Sequence, residues 1–426
     1  MDKRIQELAA FLDGSHSCYH AVANISEQLE RAGFVKLQER DAWKLTAGGN
    51  YYLTRGGSSL LAFRIPQETP RGFLMAATHS DRPAFKIKEN PELTGSYTCL
   101  RTEKYGGMLI APWLDRPLSV AGRVQVETEQ GAESRLIDID RDLLLIPNVA
   151  IHLNRQANDG YHWDVKSDTI PLLGGKDAAG KFEALLERTA GGKILGHDLY
   201  LYPRQKAAVW GLEEEFLSSA ALDNLQCTWC CAQGFLRGQS RGSVPVLCVF
   251  DSEEVGSSSV QGAASTILER LLQRLCRCLG LDYDRMLADS FMISADNAHA
   301  LHPNHPELHD GGHAPLLNGG PVLKFQAGLR YTTDGLAAAV FRQICRKADI
   351  PVQTFYNRAD MAGGSTLGHI SLSHVSVPTA DIGLPQLAMH SCYETAGTRD
   401  ALYLLAAMEA YFSAALERNE DGFSIK

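Results

Sequence analysis

The chain has 426 residues, 45% hydrophobic and 21% charged, with a net charge of −9 and ten cysteines. This is the balance of an ordinary globular enzyme with two to three domains' worth of core, and the absence of a long basic run argues against a nucleic-acid partner. No 18-residue apolar span occurs, residues 1–7 lack a signal-peptide apolar region, and the cysteines are too sparse for a disulfide scaffold, so the expectation is a cytoplasmic protein with reduced thiols and no membrane partner.

Amphipathic periodicity predicts helices near 3–12 and 21–32, followed by strand-like runs at 51–53 and 60–65. The apolar run 72–78 reads as a buried strand ending in His79-Ser80-Asp81. From about 87 to 208 the pattern changes to short alternating runs between turn residues, such as 122–127 and 150–153, and few convincing long helices, so this segment reads as largely β. Alternation of strands and helices then resumes. Helices are expected at 221–236, 262–279, 334–348 and 400–417, and strands at 244–250, 321–326, 351–356 and 376–382. The implied architecture is α/β: a catalytic domain with a mixed sheet, residues 1–86 plus 209–426, interrupted by an inserted β-rich domain over 87–208.

The densest chemical signal is FDSEEVGS at 250–257, directly after an apolar, β-branched run. Adjacent carboxylates at the end of a buried strand are costly unless a cation compensates them. In an extended segment Glu253 and Glu254 point to opposite sides, which suits one to a metal and the other to the water being activated. His79, Asp223, Asp296 and His390 each follow or open an apolar element, and their joint occurrence makes them candidate ligands at sheet ends.

Six motifs in order, HSD at 79–81, LDNL at 222–225, FDSEEVGS at 250–257, SADNAHALHPNH at 294–305, GGSTLG at 363–368 and LAMHS at 387–391, resemble those of the M18 family, the dinuclear zinc aspartyl aminopeptidases. The resemblance covers nearly the whole chain. It implies a metalloaminopeptidase with a zinc-peptidase-like catalytic domain, removing N-terminal acidic residues from peptides that have a free N-terminus. It further implies that Asp223 bridges two divalent ions, that His79 and Asp296 complete one site and Glu254 and His390 the other, that Glu253 is the general base, and that Asp81 orients His79 or its metal. Three ligand carboxylates against two divalent cations leave about one positive charge, enough to pull the pKa of a bridging water toward neutrality. Mixed His and carboxylate ligation suits zinc, with cobalt and manganese as alternatives. The resemblance also implies that the insert mediates homodimers, that dimers assemble into dodecamers, and that His152 reaches a neighbouring subunit's active site. Without it, His152 reads as a strand histidine at a subunit contact.

Some residues depart from the family pattern. Ala221 precedes LDNL where arginine is common, Arg82 follows HSD where a small residue is usual, and the segment 326–329 lacks the lysine of some relatives. A site that selects an acidic side chain presents a cation or several donors, and Arg82, Lys324, Arg330 and Arg358 are the candidates. The CxxC at 227–230 has no second pair and lies on an expected helix, so it reads as packing. Five histidines between 299 and 313 share a loop with Pro303 and Pro306 and read as shaping a cleft rather than holding a further metal. Two other functions fit the scaffold: a metal-dependent amidohydrolase or deacylase, and a catalytically silent metal-dependent assembly protein.

Overall fold

A computed structural model describes residues 2–239 and 241–426. Its contacts divide the chain into two compact units. The first comprises Met1–Asp81, Ala207–Met389 and Glu394–Lys426, and the second Arg82–Lys206 with His390–Tyr393.

The first unit is built on a nine-stranded mixed sheet, the expected α/β class. In spatial order its strands are Val35–Lys36, Asn50–Arg55, Ser59–Arg64, Ser243–Phe250, Gly72–His79, Phe291–Ala295, Thr379–Gly383, Val322–Phe325 and Gln353–Tyr356. The middle four, from Ser243–Phe250 to Thr379–Gly383, run parallel and are buried along their whole length. That burial explains why they read as continuous apolar runs rather than alternating ones. Alternate residues of each strand serve opposite faces. Leu74, Ala76, Leu247 and Val249 join the core made with Lys3–Asp13, Cys18–Arg31, Leu222–Arg237, Gly335–Lys347 and Thr398–Ser413, whereas Phe73, Met75, Val246 and Cys248 join the one made with Ile267–Leu279. The helix expected from 262 begins only at Ile267, because 262–266 form turns around Gly262.

The second unit is a six-stranded antiparallel sheet in the order Gly131–Asp138, Leu118–Thr128, Ile194–Pro203, Ala84–Thr94, Tyr97–Tyr105 and Leu172–Gly175. The helix Lys181–Ala190 contributes Phe182, Leu186 and Ala190 to its core. One expectation fails here. Residues 151–153 form a turn rather than part of a strand, and Ile151 and Leu153 are exposed at 48% and 83%. Their apolar character mimicked the alternation of a half-buried strand without any sheet partner to satisfy it.

No helix among the described residues is long and apolar enough to cross a membrane.

Candidate active site

The parallel register aligns His79 with Phe250, so both strands end at the same level. Three segments leave the sheet at that edge, carrying His79 and Asp81, Glu253 and Glu254, and Asp296, and the start of the helix Leu222–Arg237 adds Asp223. Strand ends at one edge of a parallel sheet are the usual place for α/β chemistry.

Local backbone turns aim these side chains. After Asp251 the chain enters the left-handed region at Ser252 (φ +65°) and makes a short 3-10 turn over Glu253–Val255. The two glutamates therefore diverge by the roughly threefold spacing of that turn, not by strand alternation as expected. Their amide N–H groups both donate to Asp81, Glu253 to Oδ1 and Glu254 to Oδ2, each at 3.1 Å. At the helix entry Ala221 is also left-handed (φ +58°), and Asp223 and Asn224 have non-helical angles with a cis peptide between them. Asp223 N–H donates to Glu394 at 2.9 Å, while Asn224 Nδ2 donates to Thr78 Oγ1 and the Ala295 carbonyl, tying two central strands together.

His79 is the hub. Its Nδ1 stands 3.2 Å from the Asp81 carbonyl oxygen and 3.3 Å from its carboxylate, whereas Nε2 lies 3.7 Å from Asp223 Oδ1 and 3.5 Å from Asp296 Oδ1. One nitrogen is thus held by a hydrogen-bond acceptor and the other faces two carboxylates, the arrangement that presents a ligand imidazole in a fixed orientation. Ligand atoms of His79, Asp223 and Glu254 all lie within 4.8 Å of one another.

The electrostatics show an excess of buried acid. Burial, reinforced by Asp296, Asp81 and Asp223, pushes Glu253 up to about 8 against the pull of His79. Burial and Asp223 drive Glu254 well above the ordinary carboxylate range, and burial with Asp81 takes Asp251 to about 6. Asp296 goes the other way: burial opposes it, but Lys324 and His79 hold its carboxyl well below the usual value. Burial would depress the His79 imidazole, yet Asp296 and Asp81 raise it well above its usual value. An imidazole beside several buried carboxylates, of which Glu253 and Glu254 are forced toward protonation, is a donor set suited to a divalent cation such as zinc, which would replace such protons.

The first unit thus brings together six of the eight expected site residues: His79, Asp81, Asp223, Glu253, Glu254 and Asp296. The other two belong to the second unit. His390 stands at φ +66° with its carbonyl accepting from Leu109 N–H, and His152 lies in the exposed turn at 151–153. Among the candidate readers of an acidic side chain, Lys324 is corrected, because it is 2% exposed and bonded to backbone carbonyls. Arg82 belongs to the second unit. Arg330 is exposed and donates to the Gly363 carbonyl. Arg358 lines a cavity of about 320 Å³ with His299, His302, His309, Tyr356 and Gln386. No second metal-holding group occurs in the histidine loop among the described residues. The CxxC cysteines are buried free thiols with burial-raised pKa values, as packing requires. Sequence reasoning missed Glu394, whose surroundings carry no local signal of a role at the site.

Residues 11–412 match the family described as Aminopeptidase I zinc metalloprotease (M18). A probable M18 family aminopeptidase 2 of Pseudomonas savastanoi pv. phaseolicola is 42% identical over 419 residues, covering 96% of this chain and 97% of the relative. Among solved structures, that of the Ape4 and Nbr1 complex aligns with a TM-score of 0.92 at 35% identity, covering 96% of this chain and 85% of the other. The prApe1 crystal structure aligns with a TM-score of 0.91 at 25% identity, covering 96% and 94%.

Proposed function

Since this chain belongs to the M18 family of zinc aminopeptidases, and so is a peptidase hydrolase, we propose that it removes N-terminal residues, acidic ones by preference, with Glu253 as general base beside two divalent ions. His79, Asp223, Glu254, Asp296 and His390 would hold the ions, with Asp223 shared between them. When bound, such ions polarise a scissile carbonyl and lower the pKa of water.

The observation that carries this reading is the position of Asp81. One carboxylate faces Nδ1 of His79 and accepts the N–H groups of Glu253 and Glu254. It therefore couples the orientation of a ligand imidazole to that of the base. Glu253, half-buried and held through its N–H by Asp81, would take a proton from the attacking water and hand it to the departing amine. Its elevated pKa comes from burial first and from uncompensated acidic neighbours second, and a cation in their midst would bring it down toward a working value.

The acidic preference rests on the cavity containing Arg358. Its walls are the segments that follow Asp296 and precede His390, so it adjoins the chemistry along the chain. Arg358 is shared with Asp360 and the Glu307 carbonyl, and a substrate carboxylate would have to compete for it. Self-association is proposed for the second unit, where Val149, Ile151 and Leu153 are exposed close together in sequence.

The test is a panel of aminoacyl anilides, including aspartyl and glutamyl ones, turned over with and without zinc, cobalt or manganese. Glu253→Gln should retain bound metal and lose at least about a hundredfold in turnover. Full activity in a metallated Glu253→Gln protein would remove the base from the scheme. Cleavage of acylated amines with no action on free N-termini would favour a deacylase instead.

A further inference from the structure

Lys324 is the only Lys or Arg that is fully buried among the described residues. It lies on the strand Val322–Phe325, whose other residues are apolar, and a lysine there is costly to bury unless its charge is matched. Its Nζ donates to the Asp296 carbonyl oxygen at 2.9 Å and reaches the Asn297 carbonyl at 3.4 Å. The same nitrogen stands 4.0 Å from Asp296 Oδ2 and 5.2 Å from the centre of the Tyr331 ring.

This gives the Asp296 carboxylate two distinct sides. Oδ1 faces His79 Nε2 at 3.5 Å, and Oδ2 faces the ammonium. The backbone behind it is equally constrained. A Cβ at Gly383 would stand 2.0 Å from the Asp296 carbonyl oxygen, so only glycine lets the neighbouring strand approach that closely. Lys324 is itself 2% exposed, and both hydrogen-bond acceptors of its ammonium are backbone carbonyls of Asp296 and Asn297.

We infer that Lys324 is a resident cation of the metal centre, a positioning residue that makes Asp296 a one-sided and electrostatically weakened donor. The inference rests on the proposed role of Asp296 as a metal ligand. An ammonium on one side of a carboxylate and a divalent ion on the other repel each other. We take that repulsion to outweigh the better anchoring of the ligand, by about tenfold in affinity. A divalent ion held there would therefore be bound less tightly but would keep more of its positive charge, the stronger Lewis acid of the two cases. In the absence of metal the same ammonium offsets part of the charge of its two buried acidic neighbours, Asp296 and Asp381.

This role gives an unusual combination of effects. A lysine that only filled space would, when replaced, weaken metal binding and turnover together. A resident cation, when removed, should tighten zinc and slow turnover. The experiment uses the full-length protein as Lys324→Met and Lys324→Gln, with Asp296→Asn as reference. Zinc affinity is read by competition with a chromophoric chelator, turnover on an aminoacyl anilide at saturating zinc, and stability by thermal melting with and without zinc.

Lys324→Met should bind one zinc about tenfold more tightly and lose about tenfold in kcat, with KM within about twofold. Its metal-free melting temperature should fall, and the rise on adding zinc should grow. Lys324→Gln keeps a donor for the two carbonyls without the charge, and should behave like Lys324→Met. Wild-type behaviour of Lys324→Gln, or weaker zinc binding in either variant, would overturn the inference. If Lys324→Met does not fold, Lys324→Gln is judged by the same criteria, and failure of both to fold would assign Lys324 to the core and overturn it as well. Unaltered zinc binding in Asp296→Asn would instead remove the ligand role on which the inference rests.

Discussion

At the scale of single residues, the site depends on which partner each acid meets. Asp223 is set apart from a helix-capping aspartate by its surroundings: its N–H is taken by Glu394 and its Oδ1 faces His79, although its extended angles would by themselves suit a cap. A capping role would cost about 1 kcal/mol of stability on replacement and leave metal unaffected. A bridging role predicts that Asp223→Ala loses both metal equivalents while His390→Ala loses mainly one, which elemental analysis of the purified variants can decide. Two zinc ions retained in Asp223→Ala would end the bridging assignment. Specificity turns on a different residue. If Arg358 reads the substrate's first side chain, Arg358→Ala should raise KM for aspartyl and glutamyl anilides by about tenfold and leave alanyl or leucyl anilides within about twofold. An equal change for all four would exclude it.

At the scale of elements, legibility followed burial. His79 and Asp296 were readable because each ends a strand buried on both faces, where an apolar run stops abruptly at a polar side chain. Glu253 and Glu254 were readable as a pair, but not the 3-10 turn that separates them, because nothing local announces a left-handed serine. Lys324 and Glu394 were opaque. Their partners lie 28 and 171 residues away, and only the folded sheet brings them together. In the second unit the register creates a comparable unseen cluster. Asp198 lies opposite Arg123 across one strand boundary and reaches Lys86 across the other, at 2.8 and 2.9 Å. Burial would raise its pKa, but these two cations together lower it. A depressed folded-state pKa contributes stability above the unfolded value of about 3.9 and loses it as pH falls through the folded value. Asp198→Asn should therefore lower stability at pH 7 by about 1–2 kcal/mol, a range reduced for partial exposure. The difference from the parent should begin to shrink as pH falls below about 4 and vanish only below the lowered folded-state pKa. Denaturant midpoints across this pH range measure this, and an undiminished difference at low pH would show that the loss comes from packing.

At the scale of the whole molecule, the chain interrupts a catalytic α/β unit with an antiparallel one and gives the second a histidine with no evident local task. His152 is exposed in a turn between exposed apolar residues, which fits a surface awaiting another subunit better than the strand its sequence suggested. If it donates to the scissile carbonyl oxygen of a neighbouring subunit as negative charge develops, its loss should cost on the order of 3 kcal/mol of barrier, or about a hundredfold in kcat. Complementation separates this from action within one chain. His152→Ala and Glu253→Gln subunits, each inactive alone, are co-expressed and purified together through different tags. Action between subunits gives some sites an intact Glu253 beside an intact neighbouring His152, so activity returns in the mixed assembly. Action within a subunit, or mere packing, leaves each site lacking one group or the other, and the mixture stays at the level of the single variants.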